Sequence, residues 1–308
     1  WGIGGDELPV LSALTVGYKT DLSDELRHQY SAAGISHVLA LSGMHIGFLW
    51  MLIHVALKPL DRIPFRKFKC LVATMLLWAF AFIAGLEASV VRAVIMCMLL
   101  EWGRVSGRKS LTIHTLSMAA FFMLLYNPFY LYDIGFQLSF LSVISILMFY
   151  RHFQSLCPSS HALVCSVWSM MSVSMAAQLG TAPCVMYYFS NFSVYFLLAN
   201  IGVALWVPCI LYMAFATMLM DWCPWIHGWM VRGLDFMVGT LNALAGCISE
   251  WPYAVWSSAR LHPLEVWAIY GVLGALGYHL TIRHRGSFFM LLVSLAVWLA
   301  LHCWLLLK

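Results

Sequence analysis

The sequence contains very little charge. Lys, Arg, Asp and Glu together supply 10% of its 308 residues, whereas soluble domains usually contain about 25%. Hydrophobic residues supply 62%, and 14 Trp, 13 Tyr and 19 Phe add aromatic rings of the kind that collect at the two faces of a bilayer. This composition excludes an ordinary soluble domain and predicts an all-α fold, that of a polytopic helical membrane protein surrounded by the lipid bilayer.

The sequence signals of several chemistries are missing. None of the nine cysteines belongs to a C-x-x-C pair, so we expect small buried hydrophobic residues rather than a disulfide framework or a zinc site. No G-x-x-x-x-G-K-S/T loop is present, so a motor that uses ATP would be another chain. We therefore expect no metal and no cofactor. The formal net charge of +4 is too small to indicate a nucleic-acid partner by itself.

Ten apolar blocks follow a more polar leading segment. A membrane span needs about 20 apolar residues, and we predict about ten transmembrane or re-entrant helices. The blocks are residues 37–57, 70–86, 88–102, 111–126, 131–150, 162–187, 193–219, 226–249, 263–282 and 287–307. The second and third blocks are short, and they form either two tilted spans or one broken, re-entrant element. Residues 37–308 are thus the predicted helical transmembrane domain.

Residues 1–36 form the leading segment, in which we predict one short amphipathic helix. Asp21 and Ser23 are possible N-caps for it, and Gly34 is a natural end. The chain begins with Trp1 rather than Met, and no signal-like apolar segment comes first, so we expect it to be part of a longer protein.

Lys and Arg predict the orientation in the membrane. Alternate loops contain 11 of the 17 basic residues, and the loops between them contain Arg260 only. The positive-inside rule therefore places the basic loops in the cytoplasm and residues 1–36 outside it. The basic-loop residues are Lys58, Arg62, Arg66, Lys67, Lys69, Arg104, Arg108, Lys109, Arg151, Arg283 and Arg285; Lys19 and Arg27 lie in the leading segment and Lys308 ends the chain.

Charged side chains are rare in the predicted spans, because a charge at membrane depth costs about 2.5 kcal/mol or more. Arg232 and Asp235 are three residues apart on a helix and can form a local ion pair. Glu87 and Arg92 are on different sides of a helix, so Arg92 needs another partner, for which Asp133 is our candidate.

Uncharged polar residues recur at similar depth in four blocks. They are Ser42, His45, Gln137, Ser139, Gln178, Thr181 and Asn200. One such residue alone usually forms a helix–helix hydrogen bond. Their number favours a shared polar pathway, since each must find a partner or a wet cavity.

Residues 36–47, "SHVLALSGMHIG", concentrate these features. On one helix, Ser36, Ala40, Gly43 and Gly47 would form a stripe of small residues that permits close helix packing. His45 would point to the opposite side with Ser42 beside it, either as part of a polar surface or as a hydrogen-bonded packing residue.

Five ordered segments resemble the ComEC-type competence proteins, the inner-membrane DNA-uptake channels of bacteria. The segments are "GISHVLALSGMHIGFL", "LEASVVRAVIM", "NPFYLYDIGFQLSFLSVISI", "AAQLGTAPCVMYYFSNFS" and "LLANIGVALWVP", within about residues 20–210. The resemblance implies a helical membrane domain that passes single-stranded DNA into the cytoplasm during natural transformation. The candidate pathway residues are the intramembrane polar groups in these segments: Ser42, His45, Glu87, Ser89, Arg92, Asp133, Gln137, Ser139, Gln178, Thr181 and Asn200, with Gly43 and Gly47 as helix-packing residues. All of them match motif positions except Glu87, where the family pattern implies a small residue or Ser.

Family members often carry a small OB-like domain and a metallo-β-lactamase-like nuclease as well. No H-x-H-x-D-H segment occurs in this sequence, so the chain is not expected to be an enzyme. The resemblance instead implies single-stranded DNA as a partner, with a separate DNA receptor, motor and nuclease, in the bacterial cytoplasmic membrane. Strand polarity, energy source and oligomeric state stay open.

Two other functions are compatible with the polar residues. A small-molecule or lipid transporter would use helices broken at Gly43, Gly47, Pro183 and Pro208 around a midplane site, although the halves of the sequence do not repeat each other. An intramembrane hydrolase would use Ser42 and His45, but neither a G-x-S-x-G elbow nor an orienting third group is evident.

Overall fold

The computed structural model describes residues 4–60, 65–107, 112–159, 161–220, 222–257 and 261–307. Within these ranges the chain is all-α, as predicted, with thirteen α-helices and one short two-stranded ladder. The helices are α1 Glu7–Val16, α2 Asp24–Ala32, α3 Ser36–Leu39, α4 Gly43–Ala56, α5 Arg66–Ile83, α6 Ala88–Val105, α7 Thr112–Tyr126, α8 Ile134–Gln154, α9 Ala162–Phe189, α10 Phe196–Leu219, α11 Pro224–Ser249, α12 Pro263–Ile282 and α13 Arg285–Leu306.

Five helices among the described residues are long and apolar enough to cross a membrane. They are α8, α9, α10, α11 and α13. Their boundaries follow the predicted apolar blocks closely, because an uninterrupted apolar run of this length satisfies its backbone hydrogen bonds internally only as a helix. The membrane class is therefore supported by the structure, while about ten crossings stays a prediction.

The first predicted span, residues 37–57, is wrong as a continuous helix. Helix α3 ends at Leu39, Ala40 and Ser42 adopt extended backbone with ψ of 135° and 167°, and α4 begins only at Gly43. The predicted stripe of small residues is lost, because the 3.6-residue period does not continue through an extended segment. Pro183 and Pro208, by contrast, lie inside the uninterrupted helices α9 and α10.

The second and third apolar blocks form two separate helices. α5 and α6 have 18 residues each and pack against one another. The turn between them places Gly85 and Leu86 at φ of 74° and 55°, a left-handed conformation that reverses the chain within four residues. Arg66, Lys67 and Lys69, which were predicted in a loop, are in the first turns of α5. Arg62, Arg108, Lys109, Arg260 and Lys308 lie outside the described residues.

The leading segment contains two helices, of which only α2 was predicted. Ser23 is its N-cap and accepts a hydrogen bond from the Leu26 amide at 3.3 Å. Tyr30 at its end is fully buried and donates a hydrogen bond to Asn242 Oδ1 on α11 at 2.7 Å. Burial raises the pKa of the Tyr30 phenol. The leading segment is therefore docked onto the helical domain rather than detached from it.

The described residues belong to two compact units. The first unit comprises Trp1–Gln137 and Leu198–Pro252, and the second comprises Leu138–Leu197 and Tyr253–Lys308. In the first unit, α4, α5 and α6 share a hydrophobic core that includes Leu41, Ile46, Leu77, Val90 and Val94. This packing brings the residues of α4 and α6 close together.

The second unit contains the α12–α13 hairpin and the only strands among the described residues. Strand β1 Asn191–Ser193 pairs antiparallel with β2 Val255–Ser257, so that Phe192 lies opposite Trp256. Pattern reasoning missed this ladder because each strand has three residues and lies between long apolar helices.

Candidate functional site

The break before α4 places Ser42 and His45 in contact. The Ser42 backbone amide donates a hydrogen bond to His45 Nδ1 at 3.2 Å, and Ser42 Oγ lies 2.9 Å from the same nitrogen. Because a backbone N–H can only donate, Nδ1 is an acceptor and the neutral imidazole carries its proton on Nε2. His45 is 3% exposed, so this tautomer is held inside the protein.

Helix α6 closes the break from the other side. Ser89 Oγ donates a hydrogen bond to the Leu41 carbonyl oxygen at 2.6 Å, which satisfies an acceptor that no helix uses. Arg92 is 7% exposed, and its Nη2 lies 2.9 Å from the point that a Cβ on residue 43 would occupy. Gly43 is thus the residue type that lets the guanidinium lie against the first turn of α4.

Glu87 connects this region to the leading segment. It is the N-cap residue of α6, where a carboxylate is stabilised by the helix dipole. Lys19 Nζ lies 2.7 Å from Glu87 Oε1, and both side chains are partly exposed. We call the group Ser42, Gly43, His45, Glu87, Ser89 and Arg92 the α4–α6 cluster. It unites five of the candidate pathway residues and one of the two candidate packing glycines.

Gly47, the second candidate packing glycine, has different surroundings. Apart from its chain neighbours and the backbone of its own helix, no described atom lies within 4 Å of the point that its Cβ would occupy. Its role in helix packing stays a prediction.

Asp133 and Gln137 organise the start of α8. Asp133 Oδ1 accepts a hydrogen bond from the Phe136 amide at 2.7 Å, and Gln137 Nε2 donates to the Leu131 carbonyl oxygen at 2.8 Å. Each side chain therefore has a local structural role that sequence reasoning did not foresee. The pairing of Arg92 with Asp133 stays a prediction.

The remaining candidates are on longer helices. Ser139, Gln178 and Thr181 belong to the second unit, where Thr181 Oγ1 donates to the Ala177 carbonyl oxygen at 3.1 Å. Asn200 belongs to the first unit on α10, and its buried Oδ1 has no hydrogen-bond partner among the described residues.

A second polar network, at the opposite ends of α4 and α6, was not predicted. Glu101 is 9% exposed, and its two carboxylate oxygens lie 3.2 Å from His54 Nε2 and 3.2 Å from Arg104 Nη1. The Arg104 guanidinium also lies 5.5 Å from the centroid of the Trp50 ring. The spacing of Glu101 and Arg104, three residues apart, was the available signal, but a tertiary contact supplies the histidine.

The predicted Arg232–Asp235 ion pair is not formed: in the part of the chain that the structure describes, no ion pair joins the two. Arg232 Cζ instead lies 5.9 Å from the centroid of the Trp229 ring, also three residues away. An aromatic face on the neighbouring turn competes for an exposed guanidinium.

The described residues contain no group of three or more His, Cys, Asp or Glu side chains that could hold a metal ion. The α4–α6 cluster offers hydrogen-bond donors and one buried cation instead. Its chemistry is suited to contact with an acceptor-rich or anionic group.

The chain is similar in sequence to known proteins. The family profile described as "Competence protein" matches residues 14–283. ComE operon protein 3 of Bacillus subtilis (strain 168) is 29% identical over 194 residues, which cover 61% of this chain and 23% of that protein. An uncharacterized protein of Aquifex aeolicus (strain VF5) is 29% identical over 168 residues, which cover 54% of this chain and 37% of that protein. No solved structure matches the chain significantly.

The matched residues include the whole α4–α6 cluster and all other candidate pathway residues. The profile covers far more than half of the sequence, although the chain spans well under half the length of the two curated relatives. The chain belongs to the competence protein family.

Proposed function

We propose that this chain is a membrane conduit that passes single-stranded DNA into the bacterial cytoplasm during natural transformation. Family membership supports a role in DNA uptake, and the apolar helices support a location in the cytoplasmic membrane. In this proposal the basic loops face the cytoplasm, where they contact anionic headgroups and the arriving strand.

The observation that carries the proposal is the convergence of polar groups in the α4–α6 cluster. A buried guanidinium, a buried imidazole and two hydroxyl groups meet where α4 begins, inside a chain that is 62% hydrophobic. Polar residues at membrane depth are costly, and they mark pathways for ions and other polar substrates.

The charge of the cluster suits passage rather than tight binding. A polyanion must leave as well as enter, so a conduit needs few fixed cations along its length. Arg92 is the one buried cation of the cluster, and the carboxylate of Glu87 is paired with Lys19. A modest positive potential of this kind fits a moving nucleic-acid strand.

Aromatic rings provide surfaces for bases. Tyr130, in the segment that leads into α8, is stacked with Phe136 of the first turn of α8 at an interplanar angle of 9°. Because Phe136 is buried, the partly exposed Tyr130 is the ring of this pair that a base could reach. In the second unit, Phe192 lies across the ladder from Trp256, which is 63% exposed. Stacking on such rings tolerates any base, as a conduit without sequence preference requires.

The test is DNA uptake in a transformable strain that carries this gene as its only copy. We expect Arg92→Ala and Gln137→Ala to reduce entry of a labelled strand, while the amount of protein in the membrane is unchanged. Arg232→Ala is the matched control, because Arg232 is an exposed arginine outside the cluster. Normal uptake in both variants at normal protein levels would remove these residues from the pathway.

A separate measurement distinguishes transport of small solutes from DNA entry. The same strain is tested for accumulation of labelled solutes with and without the chain. Solute accumulation that depends on the chain, together with unchanged transformation when the chain is deleted, would favour a transporter. The DNA receptor, motor and nuclease are in this proposal separate proteins.

A further inference from the structure

We propose that the N-terminus of α4 is a phosphodiester-binding site, at which His45, Arg92 and the first amides of α4 hold one phosphate of the moving strand. This inference rests on the proposed function, and it assigns to the α4–α6 cluster a specific contact instead of a general polar lining.

His45 supplies the observation that points to a ligand. Its Nδ1 is occupied as an acceptor by the Ser42 amide, which places the proton of the neutral ring on Nε2. Nε2 is buried and has no hydrogen-bond partner among the described residues. A buried N–H donor without an acceptor is unfavourable, and an oxygen of a bound anion would satisfy it.

Arg92 and Gly43 supply the charge and the room. Arg92 is 7% exposed, and its guanidinium lies where a side chain on residue 43 would otherwise be. Guanidinium groups present several N–H donors in a fixed fork that matches the two non-bridging oxygens of a phosphodiester. Because Gly43 has no side chain, the guanidinium can lie beside the backbone of the first turn of α4.

The helix itself supplies the third element. α4 has 14 residues, and the amides of its first turn, including those of Gly43 and Met44, have no carbonyl partner within the helix. The positive end of the helix dipole adds to the attraction for an anion. Both α4 and α6 therefore contribute donors to the proposed site.

The entrance to this position has its own charge pattern. Ser42, Gly43 and Ser89 are partly exposed, whereas His45 and Arg92 behind them are buried. At the rim, Glu87 would repel a phosphate, but its contact with Lys19 neutralises that carboxylate. A strand can thus approach the buried donors without passing an uncompensated negative charge.

The test uses the full chain in nanodiscs of zwitterionic lipid and measures binding of a fluorescent oligothymidine by anisotropy. We expect Arg92→Gln to weaken binding about tenfold and to reduce the steepness of the salt dependence by about one ion. An oligothymidine with neutral methylphosphonate linkages keeps its bases but lacks the charged phosphates. The wild-type chain and Arg92→Gln should therefore bind it equally well. Arg232→Gln is the matched control and should behave as the wild-type chain does.

A second variant protects the test against misfolding. Gly43→Ala keeps every donor, but its Cβ would displace the Arg92 guanidinium. It should therefore weaken binding of the phosphodiester probe and leave binding of the methylphosphonate probe unchanged. Thermal unfolding and size-exclusion profiles identify folded variants. If folded Arg92→Gln and Gly43→Ala bind the charged probe normally, the site is overturned while the conduit stands.

Two more outcomes are decisive. If the wild-type chain binds neither probe, and its deletion leaves DNA uptake unchanged, the proposed function itself fails. In a third arm, the nanodisc contains phosphatidylglycerol. If this lipid displaces the charged probe from the wild-type chain but not from Arg92→Gln, the site binds a lipid headgroup phosphate. The assignment to DNA would then be wrong.

Discussion

Lys19 Nζ lies 2.7 Å from Glu87 Oε1, so that a cation of the leading segment neutralises the acid at the N-terminus of α6. The contact joins a segment predicted to lie outside the membrane to the helix that carries Ser89 and Arg92. The leading segment is therefore electrostatically part of the α4–α6 cluster.

Reversing this ion pair should reveal its contribution. We expect Glu87→Lys and Lys19→Glu each to lower stability by up to about 1 kcal/mol, because both side chains are partly exposed and solvent screens the pair. The double reversal should recover most of the loss. Thermal unfolding of the four proteins in detergent measures the coupling, and a loss in the double variant equal to the sum of the two single losses would show that the contact contributes nothing.

Alanine at Gly43 and at Gly47 should have different effects. A Cβ at residue 43 would lie 2.9 Å from Arg92 Nη2, whereas the same atom at residue 47 meets open space. We expect Gly43→Ala to reduce DNA uptake about tenfold, which corresponds to about 1.4 kcal/mol. Gly47→Ala should leave uptake unchanged and can stabilise α4 by up to about 1 kcal/mol. Transformation frequency measures both, and equal losses would contradict the geometry.

The buried carboxylate of Glu101 should be important for stability. Glu101→Gln removes the charge that His54 and Arg104 share, and we expect it to lower the free energy of unfolding by about 1–3 kcal/mol. The matched control is Glu250→Gln, at the exposed C-cap of α11, which should change stability by less than about 0.5 kcal/mol. Thermal unfolding measures the stability of both variants. An equally small loss of stability in both would mean that the Glu101 network contributes little.

Cys157, in the segment between α8 and α9, and Cys165, near the start of α9, should form a disulfide on mild oxidation. Cys157 Sγ lies 3.4 Å from Cys165 Sγ, and both thiols donate to the Ser159 carbonyl oxygen. Copper-phenanthroline with oxygen should remove one hydrogen from each thiol and join the two sulfurs, since little movement is needed. Peptide mass spectrometry detects the product.

Cys157→Ser and Cys303→Ser serve as the paired controls for that oxidation. The first should abolish the cross-linked peptide, and the second, which changes an exposed cysteine on α13, should not affect it. Absence of the cross-link in the wild-type chain would show that the two thiols do not meet.

Much of the fold followed from the order of apolar residues. Helix α12 spans the same residues as its predicted block, and α7, α9, α10, α11 and α13 agree with theirs to within three residues at each end. The reason is local: a long apolar run has to satisfy its own backbone hydrogen bonds in lipid, and a helix is the available solution. Ser23 was likewise recognisable as a cap from its position alone.

The break at residues 40–42 was not visible in this way. "LALSG" is apolar enough to continue a helix, and the extended backbone is held by the Ser89 hydroxyl of α6, far away in sequence. Similarly, Arg232 and Asp235 had the spacing of an ion pair, but Trp229 offers a competing surface.

By itself, the sequence determined the membrane class, the positions of the long helices and the identity of the polar residues that a conduit could use, because hydrophobicity and helical period are local properties. Only the tertiary structure decided which of those residues meet. The packing of α6 against α4 placed Arg92 on Gly43, and it left His45 Nδ1 bonded and His45 Nε2 without a partner among the described residues. Such contacts depend on how distant helices approach each other, which no short stretch of sequence encodes.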